Sequence, residues 1–498
     1  MSLRLANRLS PVLAASILSL AMSSSAFALE GKALLDDLIA KSNGTVSYGS
    51  AEESGSTLTV MDLKLDAAKE ENQDLTIGTV VFENLRDDGT DLLADSVTLE
   101  SLVGGATDSV ERSTVRRVEG EGVKLPMALF DGTAENDPYG KRIVLGSWDA
   151  VELVSENKDG STFRIAAIDT DGLDVPLDFR YSDEAVKAAG DREPAEPASL
   201  GKLLLNGIEV VSGAGIKTTV GDFQLDGMKV PTAMGAPVTQ WLSEDFALKV
   251  GQISVVRGDA DILGGMESLT STVSAPTANE WVQDSEMKGL FIDAGAITDA
   301  NAQATLKTLG YDQITVDSSG RATYDLQTGR ATQDPLLIDA KDMFDLTLSY
   351  AITGYTPDVA TQISDLFNPA KNAGGQPDFA KLMTLLSEVK LENLSLKLED
   401  DSLTKKLLDF QGRQMGTTGD QLAQGAPMMV GVGLGQLGMP EFAQSVATAV
   451  GDFLRDRGSI TVETGTSEPI PLAAIFAASQ QSPKNVIETL NLKVSAAK

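Results

Sequence analysis

Gly122-Val123-Lys124-Leu125-Pro126, Gly172-Leu173-Asp174-Val175-Pro176 and Gly227-Met228-Lys229-Val230-Pro231 share one form: glycine, apolar, charged, apolar, proline. Their starts lie 50 and 55 residues apart, and a degenerate copy without the proline stands at Gly289-Leu290-Phe291-Ile292-Asp293. Each copy closes a run of alternating apolar and polar residues. Proline brings no N–H to a ladder, so it stops such a strand or confines it to an edge. Recurrence at near-constant spacing marks similar β units stacked into a sheet that grows by repetition.

Outward from these copies, Gly44 to about Ala351 reads as short alternating runs separated by Gly, Asn, Asp and Pro, the pattern of strands with one apolar face. Leu75 with Ile77 and Val97 with Leu99 keep the period of two, whereas Leu58 and Val60 slip in phase to Leu63 and Leu65, which predicts a bulge. Asn157-Lys158-Asp159-Gly160 and Gln327-Thr328-Gly329 separate such runs and predict hairpin turns.

From about Thr356 the period becomes helical, with Val359, Ile363, Leu366 and Phe367 in one segment and Phe379, Leu382, Met383, Leu385 and Leu386 in the next. A strand over Leu391–Leu398 follows. Helices are then expected at Leu403–Phe410, around Leu422, at Phe442–Leu454 and at Leu472–Ala478, with Ile460–Val462 and Leu490–Val494 as closing strands. The fold class is α+β: an extended, largely antiparallel, repetitive β-sheet body over 44–355, followed by a mixed, mainly α C-terminal domain over 356–498. Ahead of the body, Leu34, Leu35, Leu38 and Ile39 share one face of a short amphipathic helix within 29–43.

Residues 1–28 have the order of a secretory signal peptide: Arg4 and Arg8, an apolar stretch from Pro11 to Met22, then the small-x-small triplet Ala26-Phe27-Ala28. The apolar stretch falls short of the roughly 20 residues that span a bilayer. Cleavage leaves a mature chain that starts at Leu29 in the periplasm, with no membrane span. Loss of the two arginines takes the formal charge from −32 to −34. Such a chain repels phosphate backbones and anionic headgroups, which argues against nucleic acid as a partner. With 42% hydrophobic and 22% charged residues it is a folded protein with an acidic surface.

The chain contains no Cys and no His. Disulfides, thiol nucleophiles, His-based triads and the usual ligands of zinc, iron-sulfur clusters and haem are therefore out of reach, and no cofactor is expected. Carboxylates remain. Asp169, Asp171 and Asp174 flank Gly172 at near-alternate positions, an arrangement that a hard cation such as calcium accepts, set against the plainer reading of a solvated turn. Asp87-Asp88-Gly89-Thr90-Asp91 and Asp259-Ala260-Asp261 are weaker versions. No carboxylate pair stands out for glycoside hydrolysis among 72 Asp and Glu.

Gly431-Val432-Gly433-Leu434-Gly435 lacks the Lys-Ser or Lys-Thr of a phosphate loop. The uncharged stretch Gln421–Pro440 reads as a buried helix-turn-helix joint, or else as an apolar surface for lipid or a partner. Arg112, Arg116 and Arg117 form a compact basic cluster, read as charge balance on a strand surface.

Three stretches, Leu306–Asp312, Ala322–Gly329 and Phe344–Ser349, resemble the exported β-rich envelope proteins of the YdgA and AsmA types in proteobacteria. The resemblance implies a long curved sheet with an apolar groove that carries lipid. AsmA-type proteins are anchored in the inner membrane, whereas this chain begins with a cleavable leader. The expected function is non-catalytic binding of a lipid or another apolar envelope component. A structural protein that docks an envelope partner is the alternative.

Overall fold

The computed structural model describes residues 31–41, 46–65, 74–105, 110–127, 139–178, 195–232, 245–258, 261–367, 378–436 and 438–497. The expected leader and Leu29 lie outside them, as do Asp259 and Ala260 of the third acidic stretch. The chain divides into two compact units at Asp261 and Ile262. The change from strand to helix near Thr356 falls inside the second unit.

The first unit opens with helix α1 (Gly31–Lys41) and the short strands β1 (Val46–Ser47) and β2 (Ser50–Ser54). An antiparallel meander follows: β3 (Thr57–Leu65), β4 (Leu75–Glu83), the short β5 (Arg86–Asp87), β6 (Asp91–Gly104), β7 (Val110–Pro126), β8 (Arg142–Asn157) and β9 (Thr162–Pro176). It continues through β10 (Ala198–Val211) and β11 (Ile216–Val230), whose far side pairs with both β12 (Asp245–Val250) and β13 (Ile253–Arg257). The predicted hairpin at Asn157–Gly160 joins β8 to β9, where the Asp159 carboxylate accepts from the Ser161 N–H at 2.9 Å.

Two transverse creases shape this sheet. Along the first, Gly122, Gly146, Gly172, Gly201 and Gly227 lie opposite one another on β7 to β11, with φ near +60° at Gly122, Gly172 and Gly227. At that φ the chain leaves the pleat, which a side chain at Cβ disfavours. The carbonyl of the preceding residue is thrown toward the neighbouring strand. A Cβ on Gly201 would stand 2.9 Å from the Asp171 carbonyl oxygen, so the partner position is also glycine. The recurring motif is thus a crease glycine followed by a strand ending, and Pro126, Pro176 and Pro231 are all under 2% exposed.

Along the second crease, positive φ falls on alternate strands at Asp62, Ser101, Glu152 and Gly207. The intervening positions are Gly78, Arg116, Ala166 and Gly221. At each crease the side-chain alternation restarts one residue later. On β6, Leu92, Ala94, Val97, Leu99 and Leu102 are all buried, which a strict period of two forbids. The bulge expected at Leu58–Leu65 is absent. The ladder resumes in register across Met61↔Thr79 and Leu63↔Ile77, so no residue is inserted, and Asp62 with φ 54° produces the slip.

The apolar face of β3 to β9 forms one core with Leu34, Leu35 and Leu38 of α1. Burying each such leucine contributes roughly 2 kcal/mol. The helix start is held by Glu53, whose carboxylate accepts from the N–H groups of Gly31 and Lys32 at 2.9 and 3.1 Å. A carboxylate there complements the positive end of the helix dipole.

The second unit is an antiparallel sheet of β14 (Asp261–Met266), β15 (Ser268–Thr277), β16 (Glu280–Asp293), β17 (Gln313–Asp325), β18 (Arg330–Ala340), β19 (Phe344–Thr353) and β20 (Lys390–Asp400). The strands β21 (Ser459–Thr464), β22 (Ile470–Pro471) and β23 (Leu492–Ala497) complete it. β21 pairs with one end of β20, β22 with the other, and β23 with β21.

Helices fill the long connections. Helix α2 (Ala300–Leu309) lies between β16 and β17, and α3 (Pro357–Phe367) with α4 (Phe379–Glu388) between β19 and β20. Three more, α5 (Leu403–Met415), α6 (Gly419–Gly435) and α7 (Pro440–Asp456), precede β21, while α8 (Leu472–Ser479) and α9 (Pro483–Leu490) precede β23. The largely antiparallel sheet and the helical C-terminal third agree with the sequence reading.

Helix α2 was not expected inside the strand region. Asp299 caps its start by accepting from the Ala302 N–H at 2.7 Å, and Gly310 ends it in the left-handed conformation. The closing strand also starts later than read. Leu490 ends α9, Asn491 takes a positive φ, and the strand begins at Leu492.

Candidate functional site

Leu203, Leu205 and Ile208 of β10 pack against the rim of the first core, which identifies the inner face of that strand. Residues directly opposite in a ladder share a face. Leu203 faces Leu225, Leu205 faces Phe223 and Ile208 faces Val220 on β11. Those in turn face Leu248, Val250 and Ile253 on β12 and β13. The inner face therefore stays apolar through β12 and β13, whereas Lys202, Asp222, Gln224, Asp226 and Lys249 occupy the outer one.

Cover is what changes. On β3 to β9 most inner residues are fully buried in one core, with Trp148, Phe163 and Leu173 partly covered, whereas the inner residues of β11, β12 and β13 are all only partly covered. Val210 on β10 is 40% exposed. An apolar face that stays only partly covered among the described residues is a candidate binding surface. β11 alone has 15 residues, a strip roughly 45 Å long.

The predicted metal-binding carboxylates lie on the outer face of β9. They are part of a strand and not of a turn. Asp169 faces Asp149 on β8, Asp171 faces Lys202 on β10, and Asp174 binds Arg142 at 2.6 Å. Among the described residues no three carboxylates are placed to hold a metal ion. In the hairpin at Asp87–Asp91, the Asp88 carboxylate accepts from the N–H groups of Thr90 and Asp91, which holds it below the usual carboxylate range.

Glu119, Asp149 and Asp169 stand opposite one another on β7, β8 and β9. Burial first, then the charges of Asp169, Glu119 and Glu121, push the Asp149 carboxyl above its ordinary 3.8. The folded state thus keeps a proton that the unfolded state has already released. Stability is lost as pH rises from about 3.8 through the folded value, and the penalty is complete at neutral pH. Because Asp149 is exposed and its charge is screened by solvent, Asp149→Asn should raise stability at pH 7 only slightly, by at most about 0.5 kcal/mol, with the gain vanishing below about pH 4. Urea melts at both pH values check this, and a variant less stable at pH 7 would contradict it.

Two of the three arginines of the cluster are charge-balanced, as read, and Arg112 stands opposite Glu156 on β8 without a close ion pair among the described residues. Arg116 binds Glu152 at 3.0 Å and Arg117 pairs with Glu119. The five residues Gly431–Gly435 form the end of α6 and not a loop. The uncharged stretch does make a helix-turn-helix joint, with Pro427 of α6 against Gly451 of α7. It is not buried: Met428, Met429 and Val432 are 75%, 77% and 61% exposed, because among the described residues α6 packs mainly on α5 and α7. Among the described residues no helix is long and apolar enough to cross a membrane.

A family model described as "Uncharacterized protein" matches residues 337–497, from the end of β18 through β23. No curated protein matches the chain. The inner-face residues of β10 to β13 escaped the sequence reading as a site, since their alternation is the same as that of the buried strands before them.

Proposed function

We propose that the mature chain is a periplasmic, non-catalytic binding protein whose ligand is a lipid or another apolar component of the cell envelope, held on the inner face of β10 to β13. One observation supports this reading. The apolar inner face runs on past the closed core through Phe223, Leu225, Leu248, Val250 and Ile253, and each of these is only partly covered. Water against such a face is displaced favourably by a ligand of the same polarity, at roughly 25 cal/mol for each Å² covered. The strip is long and narrow, which suits an extended acyl chain better than a compact solute.

A dansyl-labelled fatty acid provides the test. Wild-type protein should bind it with a blue-shifted emission, and Phe223→Asp should weaken binding about tenfold, since a tenfold change needs only about 1.4 kcal/mol. Equal binding by the two proteins would remove the inner face from consideration.

A further inference from the structure

We propose that the outer edge of β23 accepts an extended, basic segment of a partner protein as an added strand, in the groove between β23 and α7. Among the described residues β23 pairs only with β21, so its other side presents backbone groups without a ladder partner. The Ser445 hydroxyl reaches the Val494 carbonyl at 3.5 Å, the far limit of a hydrogen bond and one that an incoming N–H would replace. Helix α7 runs alongside and turns this edge into a groove with Val494 and Ala496 on one wall and Ala449 on the other. An open edge beside a helix is the setting in which peptides add as strands.

The groove also specifies charge. Glu441 and Asp452 both line it, and eleven residues along a helix return to nearly the same face, about 16 Å further on. Asp452 shares its carboxylate with Arg455, whereas Glu441 has no ion pair among the described residues. In an extended chain residues i and i+4 point the same way about 13 Å apart. Two Arg or Lys at that spacing reach both carboxylates, with a small or apolar residue between them over Ala449. A second copy of this chain is disfavoured, because pairing β23 with β23 brings two acidic α7 faces together in a protein of net charge −32. The stretch shared with the family model contains both walls of the groove. The inference is independent of the lipid reading, which concerns the first unit.

The test uses the full mature chain and a fluorescein-labelled peptide, Ser-Arg-Thr-Val-Thr-Arg-Ser, followed by anisotropy. Saturable binding is expected, about tenfold weaker when both Arg are replaced by Glu and absent when the central Val is Pro. Protein carrying Glu441→Lys and Asp452→Lys should reverse the preference between the Arg and Glu peptides. Both substitutions are on a helix surface, and circular dichroism checks that the fold is kept. Amide exchange at 492–497 should slow when the Arg peptide is bound. The proposal is overturned if the Pro peptide binds as well as its parent, if charge reversal leaves the preference unchanged, or if sedimentation shows the chain pairing with itself through β23.

Discussion

Gly227→Val is expected to destabilise the first unit by about 3 kcal/mol or more. The residue sits at φ 67°, and a Cβ there would lie 1.9 Å from the Asp245 carbonyl oxygen. A β-branched residue held at such a φ costs of order 1–3 kcal/mol, and the clash adds to it unless the start of β12 moves away. Ser101→Gly, on the second crease at φ 58°, should have the opposite sign or no effect. It relieves about 1 kcal/mol of left-handed strain against a glycine entropy cost of nearly the same size. Urea unfolding of both variants decides the matter. If Gly227→Val stays within about 1 kcal/mol of wild type, the creases are not what shapes the sheet.

Leu34→Asp should cost at least about 4 kcal/mol, because the side chain is 1% exposed at the centre of the face that α1 lays on the sheet. Removing a buried leucine alone costs about 2–5 kcal/mol, and an unpaired carboxylate in its place adds a desolvation penalty. The same change at Met428, which is 75% exposed on α6, should stay within about 0.5 kcal/mol. Thermal melts of the two variants give the comparison. Similar losses would mean that α1 does not close the core.

The strands and their turn residues were legible because period two and the Asp159-Gly160 and Thr328-Gly329 punctuation are local signals. The recurring Gly-to-Pro motif was legible as repetition, yet its cause was not. A glycine at φ near +60° and the glycine facing it on the next strand are far apart in sequence, as Gly172 and Gly201 show, and only strand pairing brings them together. The same limit explains the misread bulge, since the slip at Leu63 looks identical whether a residue is inserted or Asp62 turns left-handed.

Helix α2 was hidden because its apolar residues are few, and its real signals are the Asp299 cap and the Gly310 terminus. Asp169, Asp171 and Asp174 looked like a loop cluster because Gly172 interrupts them, and that glycine is a crease within a strand. Exposure was the least legible property. Alternation along β11 is like that along β7, but one lies over a filled core and the other does not.

Mass spectrometry of lipid carried by the mature protein after gentle purification from the cell envelope, with wild type beside Phe223→Asp, tests the inner face most directly. A lipid or other apolar envelope component is expected at near one copy per wild-type chain and is lost from the variant. Wild-type protein that carries no such molecule, or a variant that retains it, would contradict the assignment of the inner face of β10 to β13 as the binding surface.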